Sequence, residues 1–182
     1  LYVGNKVLKA NYKRYYDKTP ETKVEVVKRI SISNKVIDEE KATDMGQTNR
    51  QVAIYEVNNG RIDSMTFLFE NEPDTQAKTV VQNQLDAYNA RDIDAFLKTY
   101  SETIEVFDYP SQPRFQGQER MRSGYADFFK NTPDLNCEIK NRIIIGNIVI
   151  DEEYLTINGN NFSAVAIYEV ENGKISKVTF VQ

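Results

Sequence analysis

Histidine is absent from this chain of 182 residues, and that absence removes more chemistry than any residue present supplies. Without imidazole there is no Ser-His-Asp or Cys-His catalysis, and no metal site that relies on a histidine ligand. Cysteine is nearly absent too. Cys137 stands alone, which rules out an intrachain disulfide and a thiolate zinc site and reads as a small buried hydrophobe. Neither G-x-x-x-x-G-K-S/T nor G-x-G-x-x-G occurs, so nothing points to a phosphate cradle or a dinucleotide site. No apolar run approaches the roughly 20 residues that cross a bilayer, and no membrane partner is expected. The chain opens on Leu1 with no charged segment followed by an apolar one. Its compartment stays open, because a cleaved leader leaves no trace. The formal charge of −4 and pI near 5.1 argue against nucleic acid, which needs clustered Lys and Arg. Any chemistry therefore falls to Asp, Glu, Tyr, Lys or Arg, with neither metal nor cofactor expected.

What the chain does contain is a repeat. Residues 1–69 align with 114–182 without a gap, in readable blocks. Thr19-Pro20 matches Thr132-Pro133, and the run from Val36 to Glu40 matches the run from Val149 to Glu153. The run from Val52 to Val57 is identical to that from Val165 to Val170, and Asn59-Gly60 and Asn172-Gly173 follow. This is the pattern of a duplication.

Each copy predicts the same local structure. A helix spans about 5–16 and 118–130, with Met121, Tyr125, Phe128 and Phe129 at helical spacing and a Thr-Pro stop. Two hairpins follow: 136–145 with 148–155 around Gly146-Asn147, and 161–170 with 175–181 around Asn172-Gly173. Residues 70–113 have no counterpart in the first copy. They read as a polar linker over 71–75, a helix over 77–89 and a short helix over 93–100 with Asp92 as its N-cap. A strand over 103–109, ended by Pro110 and Pro113, completes the insert. The organisation expected is a partial domain over 1–70, the linker, and a complete domain over 76–182. The fold class is α+β, with helices covering one face of a sheet.

The order of these elements, the segment from Ala87 to Phe96 and the later Phe115-Gln116-Gly117 resemble the nuclear transport factor 2-like superfamily, and its SnoaL-like branch in particular. The resemblance implies a cystatin-like cone, a curved and mostly antiparallel sheet wrapped around helices. Members use the enclosed pocket for isomerisation, cyclisation, dehydration or binding, so the fold alone does not choose a function. It also implies pairing through sheet faces, either between the two copies as an intrachain pseudo-dimer or in a homodimer. Copy one lacks the helices and strand that cover such a sheet. An equivalent of 70–113 ahead of Leu1, or another chain, is expected to supply them.

Candidate site residues come from two sources. The ketosteroid isomerases that the chain resembles use a carboxylate base on the first strand, which the resemblance carries to Asp108. Their oxyanion donors, a Tyr and a protonated Asp, fall on Gln84 and Ala166, so that oxyanion hole is missing. Strand register supplies the second source. A two-residue turn at Gly146-Asn147 opposes Ile145 to Ile148, Ile143 to Ile150, Asn141 to Glu152 and Ile139 to Tyr154. That mostly apolar face reads as the helix-covered one. The face bearing Arg142 with Asp151 and Lys140 with Glu153 reads as solvated or as an interface. Glu152 is then the second candidate carboxylate, with Asn141 beside it, while copy one has Lys28 with Glu39 there. Tyr88, Phe107, Tyr125, Tyr154 and Ala166 are the expected lining for a small apolar or aromatic ligand. Two functions remain in view: a small-molecule-binding or assembly module, and a lyase or isomerase moving a proton through Asp108 or Glu152.

Overall fold

The computed structural model describes residues 4–70 and 76–181. The expected linker, 71–75, lies outside them.

The N-terminal unit consists of α1 (Asn5–Lys18) and four strands, β1 (Lys23–Ile32), β2 (Lys35–Asp44), β3 (Gln47–Asn58) and β4 (Arg61–Phe69). These strands form an antiparallel meander in chain order. The C-terminal unit begins with α2 (Ala77–Ala90), α3 (Ile93–Lys98), β5 (Tyr100–Asp108), β6 (Gln112–Gln116) and α4 (Gln118–Asn131). It ends in a second meander of β7 (Asn136–Ile145), β8 (Ile148–Ile157), β9 (Asn160–Glu171) and β10 (Lys174–Val181). Its sheet order is β6-β5-β10-β9-β8-β7, and only the β10–β5 pair is parallel. The α+β class holds, with helices on one face and mostly antiparallel pairing. One strand was not expected from the sequence. β6 contains Pro113 and sits at the sheet edge, where a missing N–H breaks no ladder.

Turn chemistry sets the meander. Gly146, Asn172 and Gly173 all take positive φ, as two-residue hairpin turns require. At α3 the side chain of Asp92 accepts the amides of Asp94 at 3.1 Å and Ala95 at 3.0 Å. A six-residue helix has few intrahelical bonds of its own, so this cap weighs heavily. Asp92→Ala should lower stability by about 1 kcal/mol, read as a lower urea midpoint at unchanged slope.

Each face of the C-terminal sheet has a different neighbour. The inner face packs on α2, α3 and α4 through Val81, Phe96, Leu97, Met121 and Phe129, all buried. Phe96, with no exposed surface, contacts the rings of Tyr88, Tyr100, Tyr125 and Phe129. The outer face packs on the N-terminal sheet. Ile143, Ile145, Ile148 and Ile150 meet Ile30, Ile37, Val52 and Ile54 in one buried cluster. Polar contacts flank it: Lys28 donates to the Arg142 carbonyl at 2.8 Å, and Arg50 to the Ile144 carbonyl at 2.8 Å.

That arrangement corrects the face assignment made from the sequence. The pairs Ile145–Ile148, Ile143–Ile150 and Asn141–Glu152 are in the expected register. A bulge at Lys140 then pairs Ile139 with Glu153 and Glu138 with Tyr154. The isoleucine face is not helix-covered. It is the face buried by the other sheet, and the helices cover the face that carries Arg142, Asp151 and Glu153.

Candidate functional site

Between α2, α4 and the inner face of the C-terminal sheet lies a cavity of about 170 Å³. Helix α2 contributes the adjacent Gln84 and Leu85, and Tyr88 one helical turn further on, on the face turned to the sheet. Helix α4 contributes Met121 and Tyr125. The strands supply Glu153 from β8, Ala164 and Tyr168 from β9, and Phe180 from β10. Ala164 removes bulk from the wall.

The one buried carboxyl in this lining is Glu153, 7% exposed. Burial pushes its pKa up to about 7, against the opposing effect of the Tyr168 hydroxyl, which donates to Oε1 at 2.8 Å. Nearby Asp151 pushes it further up, and Arg142 draws it back. The phenols of Tyr88, Tyr100, Tyr125 and Tyr168 are all raised by burial first, so each stays neutral and available as a donor. The Gln84 amide opposes that rise at Tyr100. Burial likewise raises the Cys137 thiol, keeping it protonated and inert.

Behind Glu153 on the same strand, Asp151 forms a bidentate pair with Arg142 at 2.6 and 2.7 Å, and Arg142 also donates to Gln82 at 2.9 Å. Burial raises Asp151 and Arg142 opposes it. The pair ties the strand to α2.

The residues expected from the sequence divide cleanly. Tyr88 and Tyr125 line the cavity. Ala166 lies on the same face but is packed into the core, with no exposed surface. Glu152 is on the outer face, where its carboxylate accepts a hydrogen bond from Asn141, which is itself exposed. Tyr154 is on that outer face as well, beneath the Lys140 ammonium. Phe107 also points outward, because β5 alternates with Ile104 and Val106 inside; the Lys177 ammonium lies over its ring. Asp108 is half-exposed and bound to the Arg114 guanidinium, with Nε 2.7 Å from Oδ1. Arg114, not Asp108, reaches the cavity, stacked on Phe180. Asp108 and Glu152 therefore do not share a cavity. Lys28 and Glu39 stand opposite each other in register as expected, but their charges go elsewhere: Glu39 binds Arg50 at 2.7 Å and Lys28 donates to the Arg142 carbonyl.

The sequence did hold a signal for Glu153. The trio Tyr125, Glu153 and Tyr168 recurs as Tyr12, Glu40 and Tyr55. In the N-terminal unit the Tyr55 hydroxyl donates to Glu40 at 2.9 Å, as Tyr168 does to Glu153. Polar residues that recur in both units at the same spacing mark a structural motif.

Comparison with known proteins agrees with this fold. Solved structures similar to the chain include an uncharacterized cystatin-fold protein from Novosphingobium aromaticivorans. It is 26% identical with a TM-score of 0.55, the match covering 60% of this chain and 99% of that one. A SnoaL-like protein of unknown function from Burkholderia thailandensis is 22% identical with a TM-score of 0.51, covering 60% and 97%. An LEH-like epoxide hydrolase from M. tuberculosis is 19% identical with a TM-score of 0.52, covering 59% and 82%. These last two likenesses are of fold alone. No curated protein sequence matches the chain. Among the described residues no helix is long and apolar enough to cross a membrane. Residues 81–178, more than half of the chain, match the model of the SnoaL-like domain, and the chain belongs to that family.

Proposed function

We propose that residues 76–182 form a receptor for a small, flat, mostly apolar molecule that carries one hydrogen-bonding group. The observation that carries this reading is a cavity walled by aromatic and aliphatic side chains around a single buried carboxyl. Such a wall with few polar groups is the usual composition of a small-molecule site. Size narrows the ligand. A cavity of about 150 Å³ accepts benzene, so about 170 Å³ suits one substituted ring rather than a steroid. The ring would lie among Leu85, Tyr88 and Tyr125, with its polar group toward Glu153 and Tyr168.

A second reading rests on Glu153 itself. A carboxyl with a pKa of about 7 is present in both forms at neutral pH, which is what a general acid or base needs. In this reading Glu153, not Asp108 or Glu152, moves the proton. The N-terminal sheet, on either reading, is a packing partner for the outer face, and the two units are proposed to be a duplicated domain whose first copy is partial.

Calorimetric titration with substituted phenols and cyclic ketones tests both. Binding is expected for the wild type and should weaken at least tenfold in Ala164→Phe, which fills the cavity beside Glu153. An unchanged affinity in that variant would place the ligand elsewhere. Deuterium incorporation alpha to the carbonyl of a bound ketone separates the readings: loss of exchange in Glu153→Gln with binding retained favours proton transfer. If the wild type gives no exchange above buffer, the receptor reading stands alone.

A further inference from the structure

The N-terminal sheet has two faces, and only one is occupied among the described residues. Its outer face packs on the C-terminal sheet, whereas the face bearing Asp38, Glu40 and Tyr55 has only α1 near it, and no residue of α1 is buried. Apolar side chains stand in the open there. Val24 is 53% exposed and Ile62 56%, while their counterparts in the second copy, Cys137 and Ile175, are 4% and 0%. Among the described residues no strand pairs with the outer edge of β4. Its counterpart, β10, is paired in parallel with β5. Open face and open edge thus coincide with what α2, α3 and β5 cover in the other copy.

We propose that this face is a docking surface for a helix–helix–strand segment of the α2–α3–β5 type. The segment's two helices would lay an apolar face like that of Ala77, Val81, Leu85, Phe96 and Leu97 on Val24, Val26 and Ile62, and its strand would pair in parallel with β4. The template is internal, since an aligned sheet in the same chain is covered in this way. An exposed run of apolar side chains beside an unpaired strand edge is otherwise a site of aggregation. The covered unit would be a scaffold, not a second receptor. Gln51 stands where the second copy has Ala164, and its amide already donates to Glu40 at 2.8 Å, filling the place that the cavity leaves open beside Glu153.

The chain supplies its own probe. Residue 113 joins Arg114 as an added segment would join Leu1, so a copy of 76–113 placed directly ahead of Leu1 reproduces the connection. Hydrogen exchange of the β4 amides, 61–69, should slow at least tenfold relative to the unextended chain, and binding of an apolar dye should fall. The same extension carrying Val81→Asp and Leu97→Asp in the added copy should do neither. A separate polypeptide of residues 76–113, added to the full chain, should slow the same amides saturably. Failure of both the extension and the separate polypeptide to protect β4 overturns the proposal. So does finding that the unextended chain alone dimerises with those amides protected, since a second copy would then be the occupant.

Discussion

Arg142→Ala should be among the most damaging single substitutions in the chain, lowering stability by about 3–5 kcal/mol. Its side chain is 13% exposed and that of Asp151 2%, and the two are joined by paired hydrogen bonds. Removing the guanidinium leaves a carboxylate with almost no water and no counter-ion. It also frees Gln82 on α2, so the sheet loses its polar tie to that helix. Typical domains hold about 5–15 kcal/mol in all, so the variant should be close to its unfolding threshold at room temperature. Urea unfolding followed by circular dichroism reads the loss. The double variant Arg142→Met with Asp151→Leu should recover most of it, because the cost lies in the unpaired charge and not in the missing attraction. The N-terminal unit contains the control. Arg29 makes the same bidentate contact with Asp38, but its side chain is 58% exposed. Asp38 is itself only 3% exposed, but the guanidinium beside it stands in solvent, so water can take its place and Arg29→Ala should cost less. Equal losses at the two positions would show that burial does not set the strength of this pair.

The same Arg–Asp pair explains where sequence reading stopped. Helices, hairpins and register were legible because each depends on local chemistry: the Thr-Pro stops, the Asp92 cap, the turn at Gly146-Asn147. Direction was not. A strand covered on one side announces its buried face by alternation, but β8 is buried on both sides, with Ile148 and Ile150 against one layer and Val149 against the other. Alternation then carries no sign. Arg142, Asp151 and Glu153 look like a solvated face, and the helices cover them instead. Choosing the wrong face replaced Glu153 with Glu152 and brought in Asn141 and Tyr154 with it. Phe107 failed for a related reason, since its strand alternates inward at Val106 and the ring falls outside. The bulge at Lys140 was hidden because the N-terminal sheet has one at the matching place, between Val26 and Lys28. A feature shared by both sheets leaves no contrast between them.

Glu153 should make stability fall as pH rises through the neutral range. Its pKa is 4.5 when unperturbed and about 7 in the folded protein. The folded state therefore holds the proton more tightly than the unfolded state does. The favourable contribution of the neutral carboxyl is complete below about pH 4.5, declines from there to about pH 7, and is gone above it. At about 1.4 kcal/mol per unit, an interval of roughly 2.5 units amounts to about 3 kcal/mol. Other groups titrate over the same range or below it. Asp151 is raised by burial while Arg142 holds it down, and Asp134 is lowered by the amides of Gly159 and Asn158, so its contribution is lost in acid. Comparison with Glu153→Gln removes these common effects, because Gln can still accept from Tyr168 but does not ionise. The two proteins should have similar urea midpoints near pH 4. The variant should become the more stable one by up to about 3 kcal/mol at pH 8, with the difference opening between pH 4.5 and 7. A ligand that accepts a proton from Glu153 should bind more tightly on the acid side of that interval, and one that donates to it on the alkaline side. A stability difference that is flat across pH would mean that water reaches the carboxylate freely, and the cavity would then lack the dry interior that both binding and proton transfer require.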